Sequence, residues 1–300
     1  MTAFFPIDSY TDKNIATDIL SKLLSKGSLC LFLGSGVSMS TPKEFPGWAE
    51  LVKECAEPRG IDVIGIDDNT PIDTLLSTME KVKDSFDTFD EYAMHVKGLL
   101  NKKFQLGYHH SQNMLLIAIG ALVMSSKRGS INEIVTYNFD DLIEWYLFLH
   151  GYKSQVISQP PYLHEDADVQ IFHPHGFLPK SSQHSQSENF IFDAFSYDIT
   201  LGNEDKPWFS ICQQLLLRKL AIMVGLSGDD PALRTLVART NEKLQKNNEV
   251  RPVAFLLNLD SVIARKGESY FTKRGIVPLG FGSYDEIWHF LLKICRNALS

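Results

Sequence analysis

The sequence predicts an α/β fold with a largely parallel sheet, and three observations point there. Short, mostly apolar runs recur at residues 28–33, 131–137, 220–226 and 252–257, the form taken by strands buried on both faces. Segments of helical period lie between these runs, as crossovers between parallel strands require. Glycine or small polar residues follow the runs directly, beginning with Gly34-Ser35-Gly36. Glycines there let the backbone turn tightly and approach a diphosphate, whose charge the next helix N-terminus favours. A tight turn that holds no ligand is the alternative reading of that one motif. The whole pattern reads as one Rossmann-like domain over residues 1–300, with helices on both faces of the sheet and a helical insertion at about 41–128.

The elements follow in order. Residues 1–11 read as an extended arm, with Phe4 and Phe5 available to pack on the body. Ile15, Ile19, Leu20, Leu23 and Leu24 give residues 12–26 a helical stripe, which Gly27 closes. In the insertion, helices are expected at 48–57, 72–82, 88–103 and 111–127, the first broken by Pro58-Arg59-Gly60. The acidic loop 61–71 lacks the alternating ligand spacing and closing Glu of a calcium loop. His109-His110 starts the last of these helices and reads as a capping or surface feature.

The strand at 131–137 then leads into a helix from Phe139 to Leu149. Strands are expected at 155–158 and 169–172, a polar mobile loop at 181–187, a short edge strand at 190–192 and a helix at 207–219. After the strand at 220–226, Asp230 and Pro231 have the chemistry of an N-cap and first helical residue. Strands at 252–257 and 275–279 and a terminal helix at 284–299 complete the chain.

Bulk properties narrow the function. With 44% hydrophobic and 22% charged residues the chain can bury a sizeable core. A net charge of −7 and no dense Lys/Arg run argue against nucleic acid as a direct ligand. Cys30, Cys55, Cys212 and Cys295 are scattered without a Cys-x-x-Cys pair, which argues against a structural zinc knuckle, and no metal is expected. Their apolar neighbours suit reduced thiols in a cytoplasmic protein. No basic segment followed by an apolar run opens the chain, and its most apolar window, 114–124, is too short to span a bilayer. No membrane association is expected.

Polar or glycine clusters stand at the carboxyl ends of successive strand candidates: Gly34/Ser35/Gly36, Asn138/Asp140, His175/Gly176, Gly225/Ser227 and Asn258. In an open parallel sheet those ends line one crevice, where ligands bind. A dehydrogenase fingerprint would place a third glycine where Met39 stands and an acid at a second strand end, but Glu54 and Glu57 fall in a helix. No Gly-Lys-Ser/Thr follows, so a P-loop is also absent.

Taken in order, Gly34-Ser35-Gly36-Val37-Ser38, Thr136-Tyr137-Asn138-Phe139-Asp140, His175-Gly176, Gly225-Leu226-Ser227 and Asn258 resemble the sirtuin family over roughly residues 12–298. Phe139-Asp140-Asp141 and Pro46-Gly47-Trp48 look like its bacterial branch, whose members hydrolyse NAD in anti-phage defence. The resemblance implies NAD as substrate, with Gly34, Ser35, Gly36 and Ser38 at the diphosphate and adenosine-side ribose. It implies Asn138 at the nicotinamide ribose, Asp140 at the carboxamide, His175 as general base, Gly225 and Ser227 at a phosphate or ribose, and Asn258 at the adenosine ribose.

The paired-cysteine zinc module of the protein-deacylating sirtuins is missing, as is the Phe-Arg after their glycine turn. That favours water as acceptor, with a deacylase or a non-catalytic NAD or ADP-ribose-binding module as alternatives. An NAD-depleting enzyme needs restraint. A homo-oligomer, or a complex with a separate sensor or activator, is therefore expected.

Local readings compete at several positions. Asn138 could cap the next helix, Asp141 reads as a first-turn acid, and Ser227 as turn chemistry. Asp230 reads only as a cap, His173 as support, and Trp48 as a core or lid anchor.

Overall fold

The computed structural model describes residues 10–39, 47–103, 113–125, 130–180, 190–201, 204–228, 230–247 and 251–298. The expectations for the arm, residues 41–46, His109-His110 and the loop 181–187 fall largely or wholly outside them.

Strands β1 (Leu29–Leu33), β2 (Glu133–Thr136), β3 (Ser154–Ile157), β4 (Val169–Phe172), β5 (Leu220–Val224), β6 (Ala254–Leu259) and β7 (Ile276–Phe281) form one sheet in the order β3-β4-β2-β1-β5-β6-β7. Every pairing is parallel. From β1 the chain first builds outward through β2 and then returns to β5 on the other side. The boundary between β1 and β5 is therefore the topological switch point, where open α/β sheets bind ligands.

Alternation along β1 feeds two cores. Leu29, Leu31 and Leu33 face a layer of α1 (Lys13–Leu24), α6 (Met114–Val123), α7 (Leu142–Leu149) and α13 (Tyr284–Asn297). Cys30 and Phe32 face α9 (Pro207–Arg218) and α10 (Pro231–Lys246). Helix α1 starts at Asp12, whose carboxylate accepts from the Asn14 and Ile15 N–H groups, and ends before Gly27 at φ 63°. Burial pushes the Cys55 and Cys212 thiols up to about 12, so both stay protonated and unreactive near neutral pH.

The insertion contributes α3 (Trp48–Ala56), α4 (Ile72–Asp84) and α5 (Phe89–Lys103). Leu51, Val52, Leu75, Met79, Tyr92 and Val96 close a third core together with Phe139, Leu178, Phe190 and Phe192 from the sheet side. No helix among the described residues is long and apolar enough to cross a membrane.

Several boundaries differ from expectation. The expected edge strand at 190–192 is not a strand. Its side chains alternate between cores, Phe190 and Phe192 toward the insertion and Ile191 toward the sheet. Its Ile191 N–H donates to the His175 carbonyl at 2.6 Å instead of joining a ladder. The helix expected from Phe139 begins at Leu142, after Asp141. Helix α8 (Ala194–Thr200), the five-residue α2 (Ser35–Met39), and α11 (Asp260–Lys266) and α12 (Glu268–Thr272) carried no sequence expectation.

Candidate active site

The glycine turn is shaped first by the protein itself. Gly34 donates to the Val224 carbonyl and Gly36 to the Gly225 carbonyl, so the turn after β1 is laced to the end of β5. A Cβ on Gly34 would lie 2.5 Å from the Gly225 oxygen, and one on Gly36 would lie 2.7 Å from the Gly225 Cα. Gly225 itself sits at φ 71°, where a Cβ would meet the Val37 nitrogen at 2.7 Å. The three glycines bring two backbones together at the switch point, and Ser35 opens α2 beside them.

At the neighbouring strand end, Asn138 is buried and does not cap α7, whose N-cap position is Asp141. Its Nδ2 donates to the Gly34 carbonyl at 3.2 Å and to Ser38 Oγ at 3.0 Å. Ser38 Oγ in turn donates to Asp140 Oδ2 at 2.9 Å, while Asp140 Oδ1 accepts from the Leu142 N–H at 3.1 Å. Burial pushes the Asp140 carboxyl up to about 6, helped by the Glu144 and Asp141 charges and opposed by the Leu142 and Ser38 hydrogen bonds. Ser38, Asn138 and Asp140 thus form one network joining β1 to β2.

His173 and His175 follow β4 and have different surroundings. The His173 ring is held on both sides, Nδ1 to the Asn138 carbonyl at 3.1 Å and Nε2 to Glu144 Oε1 at 2.7 Å. It therefore fixes the backbone beneath Asn138. His175 is 2% exposed, and neither of its ring nitrogens makes a hydrogen bond among the described residues. Tyr137 and Trp48 rings meet it edge-on, with centroids at 4.9 and 5.9 Å. Gly176, at φ 96°, turns the chain after it. A buried imidazole with unused nitrogens in an aromatic cage can take a proton from a ligand that reaches it.

Asp230 is the residue whose place the local cap reading missed. It does cap α10, accepting from the Leu233 N–H at 2.6 Å, but its Oδ2 also lies 3.5 Å from His175 Nε2. That contact is at ion-pair distance and is not aligned as a hydrogen bond. Burial raises the Asp230 pKa, but His175, the Leu233 N–H and the Tyr197 hydroxyl outweigh it and hold the carboxyl below its ordinary range. An Asp before Pro gives the cap from sequence alone, whereas the His175 contact depends on how β4 and β5 align.

The remaining expected residues divide. The Asn258 side chain lies within β6, donating to the Leu226 carbonyl at 2.8 Å and accepting from the Leu259 N–H at 2.8 Å. It ties the β6 end to the loop after β5. Ser227 is exposed on that loop. Trp48 contacts His175 and Phe192, which puts the start of the insertion against the site. Among the described residues no group of three or more His, Cys, Asp or Glu side chains could hold a metal ion.

The clusters at β4, β2, β1, β5 and β6 lie on adjacent strands, at the edge of the sheet where doubly wound α/β proteins bind ligands. Residues 132–279, which run from the start of β2 into β7, match the family model described as a SIR2-like domain. Two solved structures are similar at low identity. One is a crystal structure of a Sir2 homologue–NAD complex, with a TM-score of 0.46 and 15% identity over 94% of this chain and 95% of that one. The other is a mutant Sir2 homologue with ADP-ribose, with a TM-score of 0.43 and 13% identity over 94% of this chain and 97% of that one. No curated protein matches the chain.

Proposed function

We propose that the protein hydrolyses NAD to nicotinamide and ADP-ribose. The observation that carries this reading is His175, buried in an aromatic cage with neither ring nitrogen hydrogen-bonded, at a strand end beside the Asn138 network. The SIR2-like match over residues 132–279 supports it.

In the proposed reaction, water attacks the anomeric carbon of the nicotinamide ribose. The carbon–nitrogen bond breaks with its electron pair going to the ring nitrogen, so nicotinamide leaves neutral. The water proton passes to His175, directly or through a ribose hydroxyl, and then to solvent. Because the leaving group is already cationic in NAD, no strong acid is needed. A held ribose and an aligned nucleophile supply most of the acceleration. Asn138 orients the ribose, and Asp140, tied to Ser38, faces the nicotinamide side. Gly34, Ser35, Gly36 and Gly225 form the diphosphate cradle, Ser38 shapes it from beneath, and Ser227 and Asn258 flank the adenosine half.

We further propose that this activity depletes NAD as a cytoplasmic anti-phage effector, restrained until the chain assembles or meets a separate activator. The test is chromatography of NAD incubated with the protein over a range of protein concentrations, with acetylated peptide as a competing acceptor. The expected products are nicotinamide and ADP-ribose in equal amounts at high protein concentration, with the peptide unchanged and Asn138→Ala at least ~100-fold slower. Formation of O-acetyl-ADP-ribose, or an Asn138→Ala rate equal to the parent, overturns the hydrolase reading. An active, constitutive monomer overturns the proposed restraint.

A further inference from the structure

We propose that Asp230 is a positioning residue for His175, holding the imidazole with Nε2–H toward the carboxylate so that Nδ1 is the atom that takes the proton. The inference rests on the proposal that His175 is the base, and adds to it the residue that decides which nitrogen acts.

The two carboxylate oxygens are divided between tasks. Oδ1 accepts from the Leu233 N–H at 2.6 Å and from the Tyr197 hydroxyl at 3.0 Å. Tyr197 is itself fixed, because its hydroxyl accepts from the Ala232 N–H at 2.7 Å. Burial, reinforced by the Asp230 charge, raises the Tyr197 pKa well above the ordinary phenol, so its hydroxyl remains a donor. Oδ2 is the oxygen that faces His175 Nε2, at 3.5 Å. The carboxylate therefore cannot swing away without breaking its cap and its tyrosine bond.

The ring is confined as well. Tyr137, Trp48, Tyr197 and Phe139 surround the imidazole, with centroids at 4.9, 5.9, 6.2 and 6.4 Å. A carboxylate on one nitrogen fixes the tautomer and stabilises the imidazolium that forms when the other nitrogen takes a proton. At 3.5 Å the two groups stand at ion-pair rather than hydrogen-bond distance, close enough for the carboxylate charge to favour an N–H on the nitrogen that faces it.

The test uses Asp230→Asn, Asp230→Ser and Asp230→Glu in the full chain. Asn and Ser both accept the Leu233 N–H, so they retain the helix cap while losing the charge that faces His175. The primary readout is the ring 15N spectrum of His175 in the ligand-free protein, with His173 as internal reference. The His175 Nε2 signal is expected to move in the Asn and Ser variants and to return toward the parent value in the Glu variant, while the His173 signals stay in place.

With NAD, kcat is expected to fall on the order of 100-fold or more in the Asn variant, KM to stay within about threefold, and the Glu variant to recover part of the loss. Unmoved His175 signals in the folded Asn variant overturn the proposal whether or not NAD is consumed, and so does a loss confined to KM. A shifted His175 signal in a protein that leaves NAD intact even at high protein concentration upholds the pair and rejects the hydrolase reading. Should the Ser variant fail to fold, the near-isosteric Asn variant carries the comparison.

Discussion

Asp140 is a carboxyl kept in a place that disfavours its charge. Its folded pKa of about 6 lies above the unfolded 3.8, so between those values the native state binds more protons than the unfolded chain. Stability from this group is therefore fully present below pH 3.8 and is lost as pH rises through about 6. The penalty above that window is on the order of 2–3 kcal/mol. Asp140→Asn removes it; the Asn oxygen keeps the Leu142 N–H, and the Ser38 hydroxyl can turn to accept from the new Nδ2. The expected result is a Tm gain over the parent at pH 8 that disappears near pH 4, read by thermal melts across pH. An equal difference at both pH values contradicts the assignment. Asn138, and His175 at the next strand end, are legible in the sequence as candidates because strand-end polar residues stand out against apolar runs. The Ser38–Asn138–Asp140 network was not, since those contacts need the β1–β2 register.

At the scale of elements, the glycine turn and the end of β5 fit together as a single backbone contact. Adding one methyl at Gly225 would place it 2.7 Å from the Val37 nitrogen at a φ of 71°. Gly225→Ala is expected to cost about 3 kcal/mol or more. Gly151→Ala, also at positive φ (78°) but with nothing within 4 Å, is expected to cost about 1 kcal/mol. Urea melts of the two variants check the contrast, and similar costs would mean that the turn is not tightly packed.

All seven strands of the sheet are legible in the sequence, most of them because a parallel strand buried on both faces needs a run of apolar residues. Residues 190–192, Phe-Ile-Phe, have the composition of a strand, but no neighbouring ladder receives them. Helices α8, α11 and α12 were hidden because five to seven residues give too few turns for a periodic stripe.

Across the whole molecule, the insertion is joined to the sheet body through polar as well as apolar contacts. Lys83 on α4 reaches both oxygens of Asp193 at 3.2 Å and Ser196 Oγ at 3.0 Å. The Asp193 side chain is fully buried while Lys83 is 28% exposed, so solvent screens the pair only in part. Lys83→Ala leaves that carboxylate without its cation and is expected to cost about 1–3 kcal/mol. Faster amide exchange in α4 and α8 than in β1 and β5 would place the loss at this junction; uniform acceleration would not. Because Trp48 opens α3 of the insertion and its ring meets His175 edge-on, the same junction bears on the site.

If this crevice breaks the nicotinamide–ribose bond with His175 as base, binding and turnover of NAD separate when His175 is removed. Nicotinamide release from NAD, measured beside calorimetric NAD affinity for the parent and His175→Ala, tests it most directly. The proposal predicts stoichiometric nicotinamide and ADP-ribose from the parent at the high protein concentration where it assembles. It predicts that His175→Ala binds NAD within about threefold of the parent while releasing nicotinamide at least ~100-fold more slowly. Tight binding with NAD left intact by the parent across the whole range of protein concentrations, or equal release by both proteins, would contradict it.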